Sequence, residues 1–272
     1  MKKMLFSIAA LLALAAFGFQ NHEAEILRGP IAELFNQTFT VDGIERMALV
    51  APNSVPAPKE GSPLVLVFHG HGGTARFAAN RFNIHAHWPE AVVVYPQGLP
   101  TVSNRDLQGQ RSGWQILPGQ QSDRDLKLFD AVLDWAKKKY KIDGSRIYAG
   151  GHSNGGFFSY VLWVSRGDKI AAFAPSAAVF GNKAANANPK PALLITGQGD
   201  NIVPSERQEK NVEAVLKLNQ CETTGKEIGK GITLYKSKAN ADTAVYLHNG
   251  GHKMPDNTGE VMAKFFKEYR LR

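Results

Sequence analysis

Apolar residues in this chain fall into short unbroken runs separated by longer stretches with helical spacing. Residues 64–68, 91–95, 147–149, 170–174 and 192–195 are such runs. Without polar alternation they predict strands covered on both faces, the habit of parallel sheets. Residues 123–141 carry apolar side chains at Leu126, Phe129, Val132, Leu133 and Trp135-Ala136, which is helical spacing. Residues 154–164, 203–218 and 258–269 also read as helices, and 232–235 and 243–247 as further strands. Ahead of them, 39–41 and 46–50 flank Asp42-Gly43 and predict an antiparallel hairpin. Residues 51–62 and 97–121 lack periodicity and read as loops. The expected architecture is α/β: a mostly parallel sheet with helices on both faces and an N-terminal antiparallel hairpin.

The N-terminal residues follow another pattern. Lys2 and Lys3 precede an apolar run over residues 5–19, which ends at Asn21, His22 and Glu23. The run is short for a membrane span and has the layout of a secretory signal peptide. Ala16 and Gly18 supply small residues for cleavage before Phe19. The expected division is a signal peptide at 1–18, a lead-in at 19–35 and one α/β domain at 36–272. The expected location is secreted or periplasmic, with no stable membrane anchor after cleavage.

Composition adds little to that picture. The chain of 272 residues is 43% hydrophobic and 21% charged, which suits a globular core. Its formal charge of +8 includes Lys2 and Lys3, so +6 remains without them. The basic residues are scattered, apart from Lys137-Lys138-Lys139 in a helical pattern, so nucleic acid is not an expected partner. The single cysteine, Cys221, cannot form an internal disulfide.

Candidate chemistry centres on Gly151-His152-Ser153-Asn154-Gly155, a G-x-S-x-G pattern between a predicted strand and a predicted helix. A turn this tight needs glycines on either side and lifts the serine oxygen off the sheet. A serine hydroxyl needs a base, and on such a turn the acid and then the histidine follow in chain order. His252, after Gly250-Gly251 in a loop past a strand, suits the base better than His248 inside the strand. Asp200 ends the loop after strand 192–195, whereas its rival Asp242 precedes a strand and would point to the wrong end of the sheet. His69-Gly70-His71-Gly72-Gly73 follows strand 64–68, and the amides of His71 and Asn154 are the expected oxyanion-hole donors. A competing reading of His69 and His71, with His85 and His87, is metal binding; no carboxylate or cysteine cluster accompanies them. No metal or other cofactor is expected.

With these motifs placed, the chain resembles the α/β-hydrolase esterases that include feruloyl esterases, acetylxylan esterases and polyhydroxybutyrate depolymerase catalytic domains (carbohydrate esterase family 1 and relatives). The resemblance runs through Val67-Phe68-His69-Gly70-His71-Gly72-Gly73, Tyr95-Pro96-Gln97-Gly98, Ser112-Gly113-Trp114, the segment 123–129, and Ile142-Asp143 with Arg146-Ile147-Tyr148. Gly151-His152-Ser153-Asn154-Gly155-Gly156, Gly199-Asp200 and Gly250-Gly251-His252 complete it. It implies an α/β-hydrolase fold, Ser153, Asp200 and His252 as a triad, His71 and Asn154 at the oxyanion hole, and Trp114 lining the substrate pocket. One departure is that many relatives place a cysteine where this chain has His71.

The implied activity is a secreted serine ester hydrolase forming an acyl-enzyme on feruloyl or acetyl esters of plant polysaccharide, including polymer-linked ones. Polyester depolymerase, serine peptidase and a non-catalytic binding module that kept the fold are the alternatives. Only residues 175–191 separate two strands where a lid would be inserted, so no large lid domain is expected.

Overall fold

The computed structural model describes residues 33–271. The expected signal peptide, its cleavage site and most of the lead-in lie outside the described residues. The hairpin is present: β1 (Phe35–Val41) and β2 (Ile44–Ala51) pair antiparallel, with Val41 opposite Ile44. Asp42 and Gly43 between them have φ of 50° and 78°. A two-residue hairpin turn requires positive φ at both positions, and Asp-Gly supplies it at low cost.

The apolar runs become the centre of a ten-stranded sheet. β3 (Ser62–Phe68), β4 (Val92–Pro96), β8 (Ala172–Ser176) and β9 (Ala192–Gly197) are buried at every residue. With β7 (Ile142–His152) and β12 (Thr243–His248) they run parallel. β10 (Lys226–Gly229) and β11 (Ile232–Tyr235) extend one edge antiparallel, as β1 and β2 extend the other. The order is β1-β2-β4-β3-β7-β8-β9-β12-β11-β10. It reverses at β3, which has β4 on one side and β7 on the other. Beyond the carboxyl ends of strands at such a reversal, an α/β sheet leaves a crevice for ligands.

Helices cover both faces. Leu64, Leu66 and Phe68 of β3 join a core built with α3 (Arg124–Lys139), α4 (Asn154–Arg166) and α5 (Ser205–Leu218). Val65 and Val67 point the other way, towards α1 (Ala75–Phe82), α2 (Ile84–His87) and α6 (Thr258–Lys267). This is the two-residue alternation of a strand with a hydrophobic layer on each side. At Gly259 a Cβ would overlap the carbonyl oxygen of Phe82, so α6 rests against the end of α1 with no room for a side chain.

The structure adds elements that the sequence patterning leaves out. α1 and α2 fill residues 75–87. The segment 97–121 contains a two-stranded sheet of β5 (Leu99–Pro100) and β6 (Ser112–Gly113). Between β8 and β9 only a 3-10 turn, Gly181–Asn186, intervenes, so no lid domain is inserted there. No described helix is long and apolar enough to cross a membrane.

Candidate active site

Ser153 stands between the end of β7 and the start of α4 with φ 54° and ψ −120°. This backbone region is costly for a residue with a side chain, and such strain collects at functional sites. The flanking glycines are sterically required. A Cβ on Gly151 would lie 2.6 Å from the Gly155 backbone and 2.7 Å from the Phe68 oxygen, and one on Gly155 would overlap the Phe68 oxygen. β3, β7 and α4 therefore meet backbone to backbone. The amide of Ser153 donates to the Ser176 carbonyl at 2.8 Å, which ties the turn to β8.

Two loops bring a base and an acid to this serine. His252 Nε2 lies 2.8 Å from Ser153 Oγ, and His252 Nδ1 lies 2.8 Å from Asp200 Oδ2. The loops after β9 and β12 are laced together, with Gln198 N donating to His248 O at 2.9 Å and Gly199 N to Gly250 O at 3.0 Å. The Asp200 side chain is fully buried. Its Oδ1 accepts the amides of Ile202 at 2.9 Å and Val203 at 3.0 Å, while Oδ2 also accepts Gln208 Nε2 at 2.9 Å. Burial alone would raise the Asp200 carboxyl, but the bonds from His252, Val203 and Ile202 outweigh it and hold the group below the ordinary aspartate value. An ionised acid accepting from Nδ1–H leaves Nε2 as the bare nitrogen facing the serine hydroxyl.

The rival residues lie elsewhere. His248 Nδ1 accepts the Gly250 amide at 3.1 Å. Asp242 precedes β12 at the opposite end of the sheet and takes Lys236 Nζ at 2.6 Å and Ser237 N at 2.9 Å. Gln208 belongs to the site but to no motif. Its signal in the sequence is a polar residue sharing the buried face of α5 with Asn211 and Val215. His152 also packs here, its ring centroid 4.9 Å from that of His252 and its Nδ1 3.2 Å from Ser176 Oγ. Burial, and then the neighbouring His252, push His152 down to about 4, so it is neutral at pH 7.

The loop after β3 lies across the turn. Gly70 faces Ser153, where an added Cβ would sit 3.5 Å from the serine Cβ. His69 turns inward. Its Nε2 accepts the Gly98 amide at 3.0 Å, so Nδ1 carries the proton and donates to Gly70 O at 2.7 Å. Burial pushes its ring down to about 4. His71 Nε2 faces Asp106, and His85 Nδ1 faces the Tyr95 hydroxyl at 2.9 Å. These histidines serve separate partners, and the described residues contain no cluster of three or more His, Cys, Asp or Glu set to hold a metal.

Trp114 requires a correction. Expected to line the pocket, it is 0% exposed, stacks on Phe158 and meets Phe68 edge-on. Its indole N–H donates to His69 O at 2.8 Å. The Asn154 side chain accepts its amide at 2.7 Å and donates to its carbonyl at 3.0 Å. Three distant segments thus close over the indole, which supports the site from beneath and leaves it no face towards a substrate.

A sheet of this order, covered on both faces and carrying a serine on a sharp strand-to-helix turn, is the α/β-hydrolase fold. No family model matches the chain. Comparison with known proteins returns the group that the motifs resemble. The chain is 31% identical over 156 residues to the bifunctional acetylxylan esterase/xylanase XynS20E of Neocallimastix patriciarum, which covers 54% of this chain and 21% of that protein. A second relative, NocK of Nocardia uniformis subsp. tsuyamanensis, is 29% identical over 164 residues, covering 57% of this chain and 45% of that one. The chain therefore spans less than half the length of these curated relatives. Among solved structures, a serine-to-alanine mutant of the feruloyl esterase module from Clostridium thermocellum, complexed with sinapinate, aligns with a TM-score of 0.62 at 15% identity over 87% of both chains. The acetyl xylan esterase from Aspergillus awamori aligns at 0.58 and 13% identity, over 86% of this chain and 99% of that one.

Proposed function

We propose that the protein is a secreted serine ester hydrolase that opens feruloyl or acetyl esters of plant polysaccharide through an acyl-enzyme. The observation that carries this reading is the chain of two 2.8 Å contacts from Ser153 through His252 to buried Asp200, at the carboxyl end of the sheet. Ser153 Oγ attacks the ester carbonyl while His252 Nε2 takes its proton. His252 then gives that proton to the departing alcohol, and water activated by the same nitrogen releases the acid. Asp200 fixes the imidazole tautomer and stabilises the imidazolium.

The amides of His71 and Asn154 receive the carbonyl oxygen as it becomes negative. Asn154 is the first residue of α4, where amides lack intrahelical partners and the helix end favours negative charge. The substrate class is supported by the acetylxylan esterase named among the relatives and by the sinapinate, a hydroxycinnamate, held by the feruloyl esterase neighbour. Export rests on the leader pattern of residues 1–18.

The test is release of p-nitrophenol from p-nitrophenyl acetate at neutral to mildly alkaline pH. Wild type is expected to turn over, and Ser153→Ala to lose activity by about 10⁴-fold or more. Hydrolysis that survives in Ser153→Ala would overturn the reading. Rates on methyl ferulate, acetylated xylan, polyhydroxybutyrate and a peptide amide then rank the substrates, and preference for the amide would replace an esterase with a peptidase.

A further inference from the structure

Both residues whose amides form the proposed oxyanion hole are gripped, through their side chains, by one segment of chain. Asn154 bonds both backbone groups of Trp114. Gly72 N donates to Ser112 O at 2.7 Å, and Ser112 Oγ donates to Gly73 O at 2.6 Å. The inner end of this segment is anchored in the core, where the Gln115 amide donates to Asp125 Oδ2 at 2.8 Å and Asp125 Oδ1 accepts Arg46 at 2.9 Å. The outer end is a different case. Its hydrogen bonds to the hole, among the described residues, run through the His71 ring, whose Nε2 lies 3.2 Å from Asp106 Oδ2 and 3.3 Å from Ser103 Oγ.

Asp106 is set to hold that ring. Its Oδ2 accepts the Arg111 amide at 2.7 Å and its Oδ1 the Gln110 amide at 3.2 Å. A carboxylate so placed only accepts, so His71 Nε2 carries the proton and donates. His71 Nδ1 is buried without a partner. The ring is therefore hydrogen-bonded at Nε2 alone, with Gly113 packed against its Nδ1 side, and its two hydrogen-bond partners both come from the outer part of the segment. His71 and Asp106 are sheltered, their side chains 15% and 9% exposed. Water therefore replaces the contact poorly.

We propose that Asp106 is a positioning residue for ester hydrolysis: acting through the His71 ring, it fixes the backbone amide that receives the developing oxyanion. This rests on the reading of Ser153 and His71 given above. The hole acts on charge that appears only in the transition state, so a displaced amide lowers kcat and leaves KM nearly unchanged. Asp106→Ala is expected to lower kcat on p-nitrophenyl acetate about 10- to 100-fold, since ångström-scale misplacement costs on that order. Affinity for phenylboronic acid, which forms a tetrahedral adduct on a reactive serine, falls by a similar factor. Asp106→Asn keeps an acceptor oxygen and is expected to recover most of the loss.

A double-mutant cycle separates this role from general support of the fold. His71→Ala keeps the backbone amide but removes the ring. On that background Asp106→Ala is expected to change kcat less than twofold. Arg105→Ala, on the same segment, serves as the control and stays within twofold of wild type. The proposal is overturned if Asp106→Ala leaves kcat and boronate affinity within twofold, or if its effect is undiminished when His71 is already alanine. Should Asp106→Ala not fold, His71→Ala decides: a fall in kcat and boronate affinity with KM held supports the proposal, and both staying within twofold of wild type overturns it. Wild-type activity that vanishes in Ser153→Ala, alongside an unaffected Asp106→Ala, would leave the esterase reading standing and remove this one.

Discussion

Asp200 takes four donors, and only one of them, His252, was legible as chemistry in the sequence. The Ile202 and Val203 amides come from the backbone, which no side-chain motif reports. Gln208 comes from the next helix. Its amide is buried and also donates to Val203 O at 2.7 Å, so it braces the acid and the turn that presents it. Gln208→Leu is expected to lower kcat on p-nitrophenyl acetate by about tenfold and to cost about 1–3 kcal/mol of stability, because a buried carboxylate loses a donor. Steady-state kinetics and urea unfolding check this, and a variant matching wild type in both would show Gln208 to be idle. The convergence of Ser153, Asp200 and His252 was legible because each follows a strand in an order that the fold demands. The burial of Trp114 is not legible in the sequence because its surroundings come from Phe68, Asn154 and Phe158, which only the folded chain assembles.

At the level of elements, the strands were legible wherever apolar residues ran unbroken, since burial on both faces leaves nothing to alternate. The Asp-Gly turn was legible for a local reason, the positive φ it must supply. α1 is faint in the sequence although its buried residues, Ala75, Ala78, Ala79 and Phe82, have helical spacing. Three of the four are alanines, which carry little hydrophobic contrast against the arginines and asparagines beside them. β5 and β6 escaped because a pair of two-residue strands has no period to detect. Contact between elements can still be tested through glycine. Gly259→Ala would force α6 away from the Phe82 carbonyl, and the expected cost is about 3 kcal/mol, the upper end of overpacking penalties. Thermal unfolding measures it; an unchanged melting temperature would mean that α6 shifts freely on α1.

At the level of the whole molecule, stability should depend on pH in a stated direction. His69 and His152 are both pushed down to about 4 by burial, against an ordinary value of 6.5. Between those limits the unfolded chain binds protons that the folded chain refuses, so stability falls as pH drops from about 6.5 towards 4. For His69 alone the full effect is on the order of 3 kcal/mol. Melting temperatures taken from pH 7.5 to 4 should decline over that window, and a flat profile would contradict the burial of these rings. The doubly covered sheet follows from the sequence because strand and helix patterns alternate along most of the chain. The position of the site follows from the reversal of strand order at β3, which depends on pairings between distant segments.

That strand order has one more consequence. Ser153 lies 99 residues ahead of His252 in the chain. A ribosome therefore finishes the serine long before the base that would activate it, and until the loop after β12 closes onto Ser153 the hydroxyl is an ordinary alcohol. On the proposed mechanism, reactivity is the last property the growing polypeptide acquires. On the proposed export, a chain carried unfolded would be harmless to esters on the way.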